Sequence, residues 1–459
     1  MAKIFIAFFN AIPQEDHLSN AVPCFYEAFI KELSELGNDL FVVHHNKFFG
    51  DYGPLPFELK KEIKQFSPDF ALIFNNSFFD LSKDFDFPIY IYEVDSFKYY
   101  SNIDILKEKR DRFKYIVPQT SSVALLNNHL GIRKENILYL PFFTAVRKET
   151  LPKVMNVSFI GTRFYTEDEK GQSVWSRFMQ TIPSPDSIKL YKEALQIINK
   201  DPFISEEELN HKIYQADTNL KKFINRDQLI DILSGCNRIL TLSEISDLGL
   251  TIFGTRSWAT ENCIDYNIPL AFNSKKVYSL KHNQDIYNSS KIAININHLQ
   301  AKNGFSWRVC DIMASDACLV SEYKPDFDKL FPNIPIPVFS DRYTARKLCK
   351  KLLENTNMRQ DIISYCNEII EEKFRFKHII SDLEMFVGLS LRTNDKKCTP
   401  HLRFFDCQQA KRTSLFMKNK VKLMGALFLL SLSQLPGMHI VLSHKKQKWL
   451  LEKINQHWT

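Results

Sequence analysis

The chain has 459 residues, which is too many for a single hydrophobic core of ordinary size. Its length therefore indicates two or three domains. Hydrophobic residues make up 44% of the sequence and charged residues 25%, as in a soluble globular protein. The net charge of +7 comes from the end of the chain, because residues 391–459 contain 13 Lys and Arg against 3 Asp and Glu. The first 390 residues have a small acidic excess, which argues against nucleic acid as a partner.

The nine cysteines are scattered, and no Cys-x-x-Cys pair occurs. An odd count with irregular spacing excludes a disulfide framework and argues against a zinc site. We therefore expect a reducing, cytoplasmic location. The first apolar run, KIFIAFF, is too short for a secretory signal and predicts a buried strand.

The first 150 residues alternate between apolar strands and amphipathic helices. Strands are predicted at 3–9, 41–45, 70–76, 89–95, 115–119 and 137–141. Helices are predicted at 24–36, 59–66, 105–112 and 122–131. This alternation predicts a parallel sheet that is covered by helices on both faces.

A second round of the same alternation begins at NVSFIGT. Strands are predicted at 156–162, 238–242, 250–255, 268–272, 291–297, 317–321 and 334–340. Helices are predicted at 185–234 and, as a terminal helix, at 371–389. The fold class is therefore α/β, with two Rossmann-like doubly wound domains that face a cleft, followed by a helical, basic tail.

These elements divide the chain into four parts: residues 1–150, 151–375, a terminal helix at 376–390 and a tail at 391–459. The tail has an apolar stretch at 423–442 that is too polar and too broken to predict a transmembrane helix. Its flanking lysines, with Trp449 and Trp458, suit a segment that lies on an anionic membrane surface through residues 411–458. A helical hairpin packed on the body is the alternative.

One stretch at 298–321, HLQAKNGFSWRVCDIMASDACLVS, combines a loop, a helix and a strand. Gly304 allows the backbone to approach a ligand. A helix that begins near Phe305 and Ser306 offers free N–H groups to an anion. Asp311, about two turns into that helix, can accept hydrogen bonds from ribose hydroxyls, and Arg308 can pair with a phosphate.

Other candidate ligand-binding residues stand at the ends of the second-half strands. Gly161, Thr162 and Arg163 follow the first of these strands and can face a diphosphate. His298 ends the strand at 291–297 and can donate to phosphate or sugar. Tyr287, just before that strand, can flank a nucleotide.

Several separate segments together resemble a known family. NGFSWRVCDIMASDACLVS resembles the donor-binding segment of the GT-B glycosyltransferases, and more narrowly the CgeB-like group with a group 1, family 4-like C-terminal domain. YNSSKIAININH, FGTRSW with Gly254, and NVSFIGT occur in the order and spacing of that family. The resemblance covers about 156–376, is architectural in the first half, and does not extend to the tail.

The resemblance implies a nucleotide-sugar donor on the second domain, an acceptor on the first, and neither a metal nor another cofactor. The family pattern has a Glu, seven residues and a second Glu, and here those positions hold Asn303 and Asp311. Asp311 would bind the ribose, while the uncharged Asn303 leaves open the sugar and the stereochemical outcome. Two Asp-Phe-Asp triplets, at 84–86 and 326–328, are expected to be solvated loop acids rather than metal ligands.

An inverting reaction needs a general base from the first domain. His17, in the loop after the first strand, and Asp95, at the end of IYIYEVD, are the candidates. The sequence thus predicts a glycosyltransferase that acts on a saccharide, lipid-linked or protein acceptor in surface-glycan assembly, peripheral on the inner face of a membrane. The alternatives are an inactive protein of the same fold that binds a nucleotide sugar or glycan, a membrane-surface scaffold, and an epimerase.

Overall fold

The computed structural model of the chain describes residues 1–10, 22–46, 55–100, 103–164, 226–260, 267–332, 335–393 and 397–407, together with isolated positions between 193 and 212. The candidate base His17, most of the predicted helical stretch 185–234 and the tail segment 411–458 lie outside these residues. Within the described part, no helix is long and apolar enough to cross a membrane.

The described strands form two sheets in which all pairs are parallel. The strands are β1 (Lys3–Phe9), β2 (Asp39–His45), β3 (Phe70–Phe74), β4 (Ile89–Tyr92), β5 (Phe113–Val117), β6 (Ile137–Tyr139), β7 (Met155–Ile160), β8 (Leu250–Phe253), β9 (Ser290–Asn295), β10 (Cys318–Glu322), β11 (Val338–Phe339) and β12 (His401–Phe405). The first sheet has the order β12-β2-β1-β3-β4-β5-β6 and the second β11-β10-β9-β7-β8. The predicted fold of two α/β domains with parallel sheets is confirmed.

Helices connect these strands, as parallel pairing requires. They are α1 (Cys24–Glu35), α2 (Phe57–Phe66), α3 (Leu81–Asp84), α4 (Ile103–Glu108), α5 (Thr120–Leu130), α6 (Arg226–Glu244), α7 (Asn267–Ala271), α8 (Leu280–Asn288), α9 (Arg308–Met313), α10 (Asp326–Leu330), α11 (Arg342–Glu354), α12 (Thr356–Lys373) and α13 (Phe376–Val387). Side chains alternate along β1, so that Ile4 and Phe8 share a core with Phe29 of α1, and Phe5 shares another with Leu59 of α2.

Two runs that were predicted as strands are helical. Residues 238–242 lie in α6, where Cys236, Ile239 and Leu242 are buried at the spacing of one helix face. Residues 268–272 overlap α7, in which Pro269 occupies the first turn, where its missing N–H has no helical partner to lose. Short apolar runs do not distinguish a strand from a buried helix, and packing decided both cases.

An aromatic core joins the two domains. The ring of Phe25 on α1 stacks on Trp307 of the second domain, with centroids 5.3 Å apart and an angle of 19° between planes. Phe142, from the segment between the domains, packs edge-on against Phe25 at 5.3 Å. Since Phe25 and Phe142 are buried, their contacts exclude water from the base of the cleft.

The connecting segment also explains a break in the predicted terminal helix at 371–389. α12 ends at Lys373 and α13 begins at Phe376. The carbonyl oxygen of Phe374 accepts a hydrogen bond from the Thr144 N–H at 3.0 Å. Arg375 turns inward and its guanidinium donates to the carbonyl oxygens of Thr144 and Val146 at 3.0 and 2.5 Å. These bonds hold the chain between the two helices.

The chain returns to the first sheet after α13, which the sequence analysis did not predict. β12 pairs in parallel with β2, from His401 opposite Phe41 to Phe405 opposite His45. The N–H of Cys407 then donates to the side chain of Asn46 at 3.1 Å. Because β12 is parallel to β2, the chain leaves it at the carboxyl edge of the first sheet.

Candidate functional site

The carboxyl edges of the two sheets meet, as they do where ligands bind in open α/β folds. Gln300, in the loop after β9, joins them by two hydrogen bonds. Its Nε2 donates to Oδ1 of Asp95 at 2.5 Å, and its Oε1 accepts from the N–H of Ser96 at 3.2 Å. These bonds place the loop after β4 of the first domain against the loop after β9 of the second.

Asp95, the predicted base, is fixed in this cleft by Asn75. The amide Nδ2 of Asn75 donates to Oδ2 of Asp95 at 2.8 Å. The Oδ1 of Asn75 accepts from the N–H groups of Val94 and Asp95, both at 2.9 Å. Burial raises the pKa of Asp95, and the hydrogen bonds from Gln300 and Asn75 oppose that rise. Asp95 is therefore a positioned carboxylate whose basicity is increased by loss of water.

A second acid in the same segment, Glu93, was missed by the sequence analysis. Glu93 is 3% exposed, and its Oε1 accepts a hydrogen bond from the Ser122 hydroxyl of α5 at 2.9 Å. No described group lies within hydrogen-bond distance of Oε2. Burial raises the pKa of Glu93 to about 8. The sequence signal that could have identified Glu93 is its position directly after a fully apolar strand.

The loop after β7 carries the predicted residues Gly161, Thr162 and Arg163. The N–H of Gly161 donates to the carbonyl of Phe253 at the end of β8, at 2.9 Å. Gly254, with φ at 155°, lies so close that a Cβ there would be 2.1 Å from the carbonyl oxygen of Gly161. Because Gly254 has no Cβ, its backbone can lie close to that of Gly161. The loop after β7 can then contact a ligand.

Two buried side chains behind this loop were also missed. The indole Nε1 of Trp258 donates to the carbonyl oxygen of Gly161 at 2.8 Å. The guanidinium of Arg238 on α6 donates to the carbonyl oxygens of Thr162 and Ile296, at 2.6 and 2.9 Å. In the sequence both residues lay in segments that were predicted as strands or loops, so nothing indicated that they would meet at this point.

His298 lies in the cleft and uses both ring nitrogens. Its Nε2 is 2.9 Å from Oδ1 of Asp231 on α6, and its Nδ1 accepts from the Gln300 N–H at 3.1 Å. Acceptance at Nδ1 places a proton on Nε2, which donates to Asp231. The ring also packs edge-on against Phe164 at 4.5 Å. In this arrangement His298 orients the loop that carries Gln300.

The motif 303–306 differs in detail from the prediction. The helix begins at Arg308 rather than near Phe305, because Asn297 accepts the N–H of Ser306 at 3.2 Å and Asn295 accepts its hydroxyl at 2.9 Å. Phe305 is buried and packs on Phe327 of α10 at 4.8 Å. The side chain of Phe305 therefore belongs to the core.

Asn303 and Gly304 face the first domain instead. The amide of Asn303 donates to the hydroxyl of Thr120 at 3.4 Å, and a Cβ on Gly304 would lie 2.4 Å from that of Gln119. Thr120 in turn donates its N–H and hydroxyl to Asp326, at 3.1 and 2.6 Å. The expectation that Asp326 is a solvated loop acid is wrong, since it is buried at this contact. Asn303 thus lies at the domain interface.

Asp311 lies in the first turn of α9, not two turns into a longer helix, and is 4% exposed. Its Oδ1 accepts from the Thr144 hydroxyl at 2.6 Å, and its Oδ2 is 3.5 Å from the Cys24 thiol. Burial raises the pKa of Asp311 to about 6, against the effect of these bonds and of Arg308. Both oxygens are therefore held by side chains of the first half.

The structure brings Asp95, His298, Asn303 and Gly304 to the facing edges of the two sheets, while Gly161, Thr162 and Arg163 follow the adjacent strand β7. Tyr287 lies in the core, with 1% of its surface exposed. Within the described residues, no group of three or more His, Cys, Asp and Glu could hold a metal ion.

Residues 237–385 match the model of the glycosyl transferase-like family. The matched segment contains β8, β9, β10 and β11, and with them the loop 303–306 and Asp311. The predicted resemblance to the GT-B glycosyltransferases is confirmed for this part of the chain. Within the second domain, the segment 237–385 is therefore similar to glycosyl transferase-like proteins. No curated protein sequence matches the chain.

Three solved structures are similar to the chain over most of its length. A glycosyltransferase from Rickettsia africae has 12% identity, with 86% of this chain and 99% of that chain covered and a TM-score of 0.42. A T4 phage β-glucosyltransferase with UDP and Mn²⁺ has 11% identity, coverage of 85% and 100%, and a TM-score of 0.48. A sucrose-phosphate synthase from Thermosynechococcus elongatus has 10% identity, coverage of 84% and 98%, and a TM-score of 0.45.

The buried carboxyl of Glu93 predicts a pH dependence of stability. Its pKa rises from an ordinary value of 4.5 to about 8, so the folded state holds a proton that the unfolded state releases between these values. Stability should therefore fall as pH rises from about 4.5 to 8. Glu93→Gln removes this loss, and we expect its melting temperature to exceed that of the wild type at pH 9 but not at pH 5.

Thermal unfolding of both proteins across this range measures the effect. Glu58→Gln makes the same change at an exposed position of α2 and is the control. The prediction would be contradicted if the melting temperatures of Glu93→Gln and wild type differed by the same amount at pH 5 and pH 9.

Proposed function

We propose that the protein transfers a sugar from a nucleotide-sugar donor to an acceptor hydroxyl. The supporting observation is that the carboxyl edges of the two sheets meet. The second domain, which contains the matched segment 237–385, brings the loop after β9 against Asp95 of the other domain, joined by the Gln300 bond of 2.5 Å. A donor on the second domain and an acceptor on the first would then react between these edges.

The donor side is formed by the loop Gly161–Arg163 and by Arg308. Their N–H groups and guanidinium groups can bind the diphosphate and stabilise the charge that develops on it as the sugar leaves. His298 positions Gln300 beside them. We propose that no metal is required, because cationic side chains already stand at this edge; activity that is lost with EDTA and restored by Mg²⁺ or Mn²⁺ would refute this part.

The acceptor side is centred on Asp95. In an inverting transfer, the acceptor oxygen bonds to the anomeric carbon as the bond from that carbon to the diphosphate oxygen breaks. The proton of the acceptor hydroxyl passes to a base, and burial suits Asp95 to that role by raising its pKa. Asn75 keeps one carboxylate oxygen fixed, while the hydroxyl can replace the Gln300 amide on the other.

Ribose binding by Asp311 requires a change in its present contacts. Its two oxygens are bonded to Thr144 and near Cys24, so ribose hydroxyls must replace these side chains. A small opening of the domains would separate them, since Thr144 and Cys24 belong to the connecting segment and α1. We propose that donor binding and this opening are coupled.

A second candidate is an inactive protein of the same fold that binds a nucleotide sugar or glycan. Asn303 favours it, since the family has an acid at this position and the present Asn303 amide bonds to Thr120 of the first domain. The two candidates differ in turnover and agree in donor binding.

Donor binding is tested by thermal unfolding with UDP, GDP, CMP and their sugars, without added metal. A ligand at a hundredfold excess over its dissociation constant adds about 2.7 kcal/mol to the free energy of unfolding. We expect one nucleotide to raise the melting temperature and Asp311→Ala to abolish that rise. Asp328→Ala, an exposed acid of the same domain, is the control. A wild type that responds to none of these ligands would refute the transferase and any inactive protein that binds a nucleotide sugar, and would leave only a glycan-binding protein.

Turnover is tested with Asp95→Asn, which keeps the shape of the side chain and removes its basicity. We expect the rate of nucleoside diphosphate release from the donor identified above to fall by at least about a hundredfold. Donor affinity should be unchanged, because Asp95 belongs to the acceptor side. Asp104→Asn, at an exposed position of the same domain, should retain full activity. No release by the wild type would leave the inactive binding protein, and full activity of Asp95→Asn would exclude it as the base.

We further propose that the acceptor is a saccharide, lipid-linked or protein substrate of surface-glycan assembly, and that the basic segment 411–458 docks the enzyme on an anionic membrane. β12 leads the chain toward this segment from the carboxyl edge of the first sheet, which is the proposed acceptor side. An acceptor held at a membrane would then be close to the cleft.

Membrane docking is tested by co-sedimentation with vesicles of phosphatidylcholine, with and without phosphatidylglycerol. Each basic residue near an anionic surface contributes about 1 kcal/mol, so changing three lysines to Gln should weaken binding about a hundredfold. The variant carries these changes at Lys445, Lys446 and Lys448. The control carries them at three exposed lysines of the first domain, Lys61, Lys64 and Lys107. Equal binding to both vesicle types would contradict the membrane proposal.

A further inference from the structure

Two side chains hold successive peptide groups of the loop after β7 from behind. Trp258 donates from Nε1 to the carbonyl oxygen of Gly161, and Arg238 donates from Nη1 to the carbonyl oxygen of Thr162, at 2.8 and 2.6 Å. Trp258 is fully buried and Arg238 is 3% exposed. Both donors are thus part of the interior, and the loop lies over them.

These bonds determine the direction of the N–H groups in the loop. The described chain has no cis peptide bond, and in a trans peptide the carbonyl and the following N–H point in opposite directions. The N–H of Thr162 is therefore directed away from Trp258, and the N–H of Arg163 away from Arg238. Successive N–H groups that are fixed in this way are a common binding element for phosphate oxygens.

The packing beneath the loop leaves no room for other arrangements. A Cβ on Gly161 would lie 2.8 Å from the ring of Phe159 and 3.2 Å from Nη1 of Arg238. The guanidinium of Arg238 is itself held between the rings of Phe164 and Phe159, with its central carbon 3.9 and 5.4 Å from their centroids. These contacts and its hydrogen bond to the Thr162 carbonyl oxygen stabilise Arg238 in the observed position.

Arg238 also links two strand ends. Its Nη2 donates to the carbonyl oxygen of Ile296, just after β9, at 2.9 Å. β7 and β9 are neighbours in the second sheet, so one guanidinium fixes both the loop 161–163 and the start of the loop that carries His298 and Gln300. Loss of this side chain would release both loops at once.

The charge of Arg238 is not neutralised by a bonded acid. No described carboxylate lies within ion-pair distance, and no described group accepts a hydrogen bond from its Nε. Burial and the neighbouring Arg308 lower the pKa of Arg238, while Glu322 acts in the opposite sense. A guanidinium stays protonated even so. Two cations therefore stand near these strand ends, and an anion bound there would offset the cost of burying Arg238.

We propose that Trp258 and Arg238 are positioning residues that hold the loop Gly161–Arg163 as a cradle for the diphosphate of a nucleoside diphosphate. They act through the backbone and do not touch the nucleoside. The proposal rests on the function proposed above and adds to it the residues that determine recognition of the diphosphate.

The test compares ligands that contain the diphosphate with ligands that lack it. Trp258→Phe removes the indole donor and keeps an aromatic ring, and Arg238→Lys keeps the charge and loses the two-carbonyl geometry. Calorimetric titration measures the affinity of each protein for UDP, GDP, inorganic pyrophosphate, uridine and guanosine. We expect both variants to bind pyrophosphate and the preferred diphosphate about tenfold more weakly or worse, with nucleoside affinity unchanged.

Arg359→Lys is the matched control. Arg359 is also buried in the second domain and donates from Nη1 to a backbone carbonyl, that of Leu352, at 2.6 Å, but it lies on α12, away from the strand ends. We expect its substitution to lower the melting temperature and to leave the ratio of diphosphate to nucleoside affinity as in the wild type. If Arg238 had only a structural role, Arg238→Lys would likewise lower the melting temperature and leave the ratio of diphosphate to nucleoside affinity as in the wild type.

The outcomes separate the two proposals. Unchanged affinity ratios in Trp258→Phe and Arg238→Lys would overturn the positioning role and leave the donor site standing. A wild type that binds none of the five ligands would overturn the proposed function and this inference with it. If Arg238→Lys does not fold, Trp258→Phe decides, because it retains the aromatic body that packs on Phe159 at 5.9 Å.

Discussion

The contact between Phe25 and Trp307 is the constraint on which the cleft depends. Phe25 lies in the first turn of the helix that follows the first strand, and Trp307 precedes the short helix α9 of the second domain. Their stacking, with Phe142 against Phe25, joins the hydrophobic cores of both sheets into one. Burial of this aromatic surface stabilises the contact between the domains, and the carboxyl edges of the two sheets face each other across it.

The polar contacts across the cleft follow from this arrangement. Asp95 meets Gln300, Thr120 meets Asp326, and Asp311 meets Thr144 only because the edges are close. Asp311 and Asp326 are buried and Asp95 is half-buried, and each of them accepts hydrogen bonds from the opposite side. A ligand that enters must replace some of those bonds, so the same groups that close the cleft are the groups that can recognise a substrate.

The short helix α9 shows how local polar bonds refine the architecture. The sequence predicts a helix from residue 305, but Asn295 and Asn297 bind Ser306 and keep the chain in a loop until Arg308. Phe305 then turns into the core and Asp311 toward the connecting segment. A similar competition, between Thr144 and the helix for the carbonyl of Phe374, divides the predicted terminal helix. Hydrogen bonds to partners outside the helix, from side chains and from the backbone of another segment, accompany both boundaries.

The sequence by itself determined the alternation of strands and helices, the two parallel sheets and the segments whose ends form the cleft, since the apolar period and the order of elements along the chain can be read locally. It pointed to Asp95 and His298 through their places at strand ends, and to Asn303 through the family resemblance. Only the tertiary structure decided that residues 238–242 are helical, that residues 401–405 join the first sheet, and that Glu93, Arg238 and Trp258 are buried polar groups at its site. The physical reason is that burial and hydrogen-bond partners depend on residues up to several hundred positions apart, which no local pattern contains.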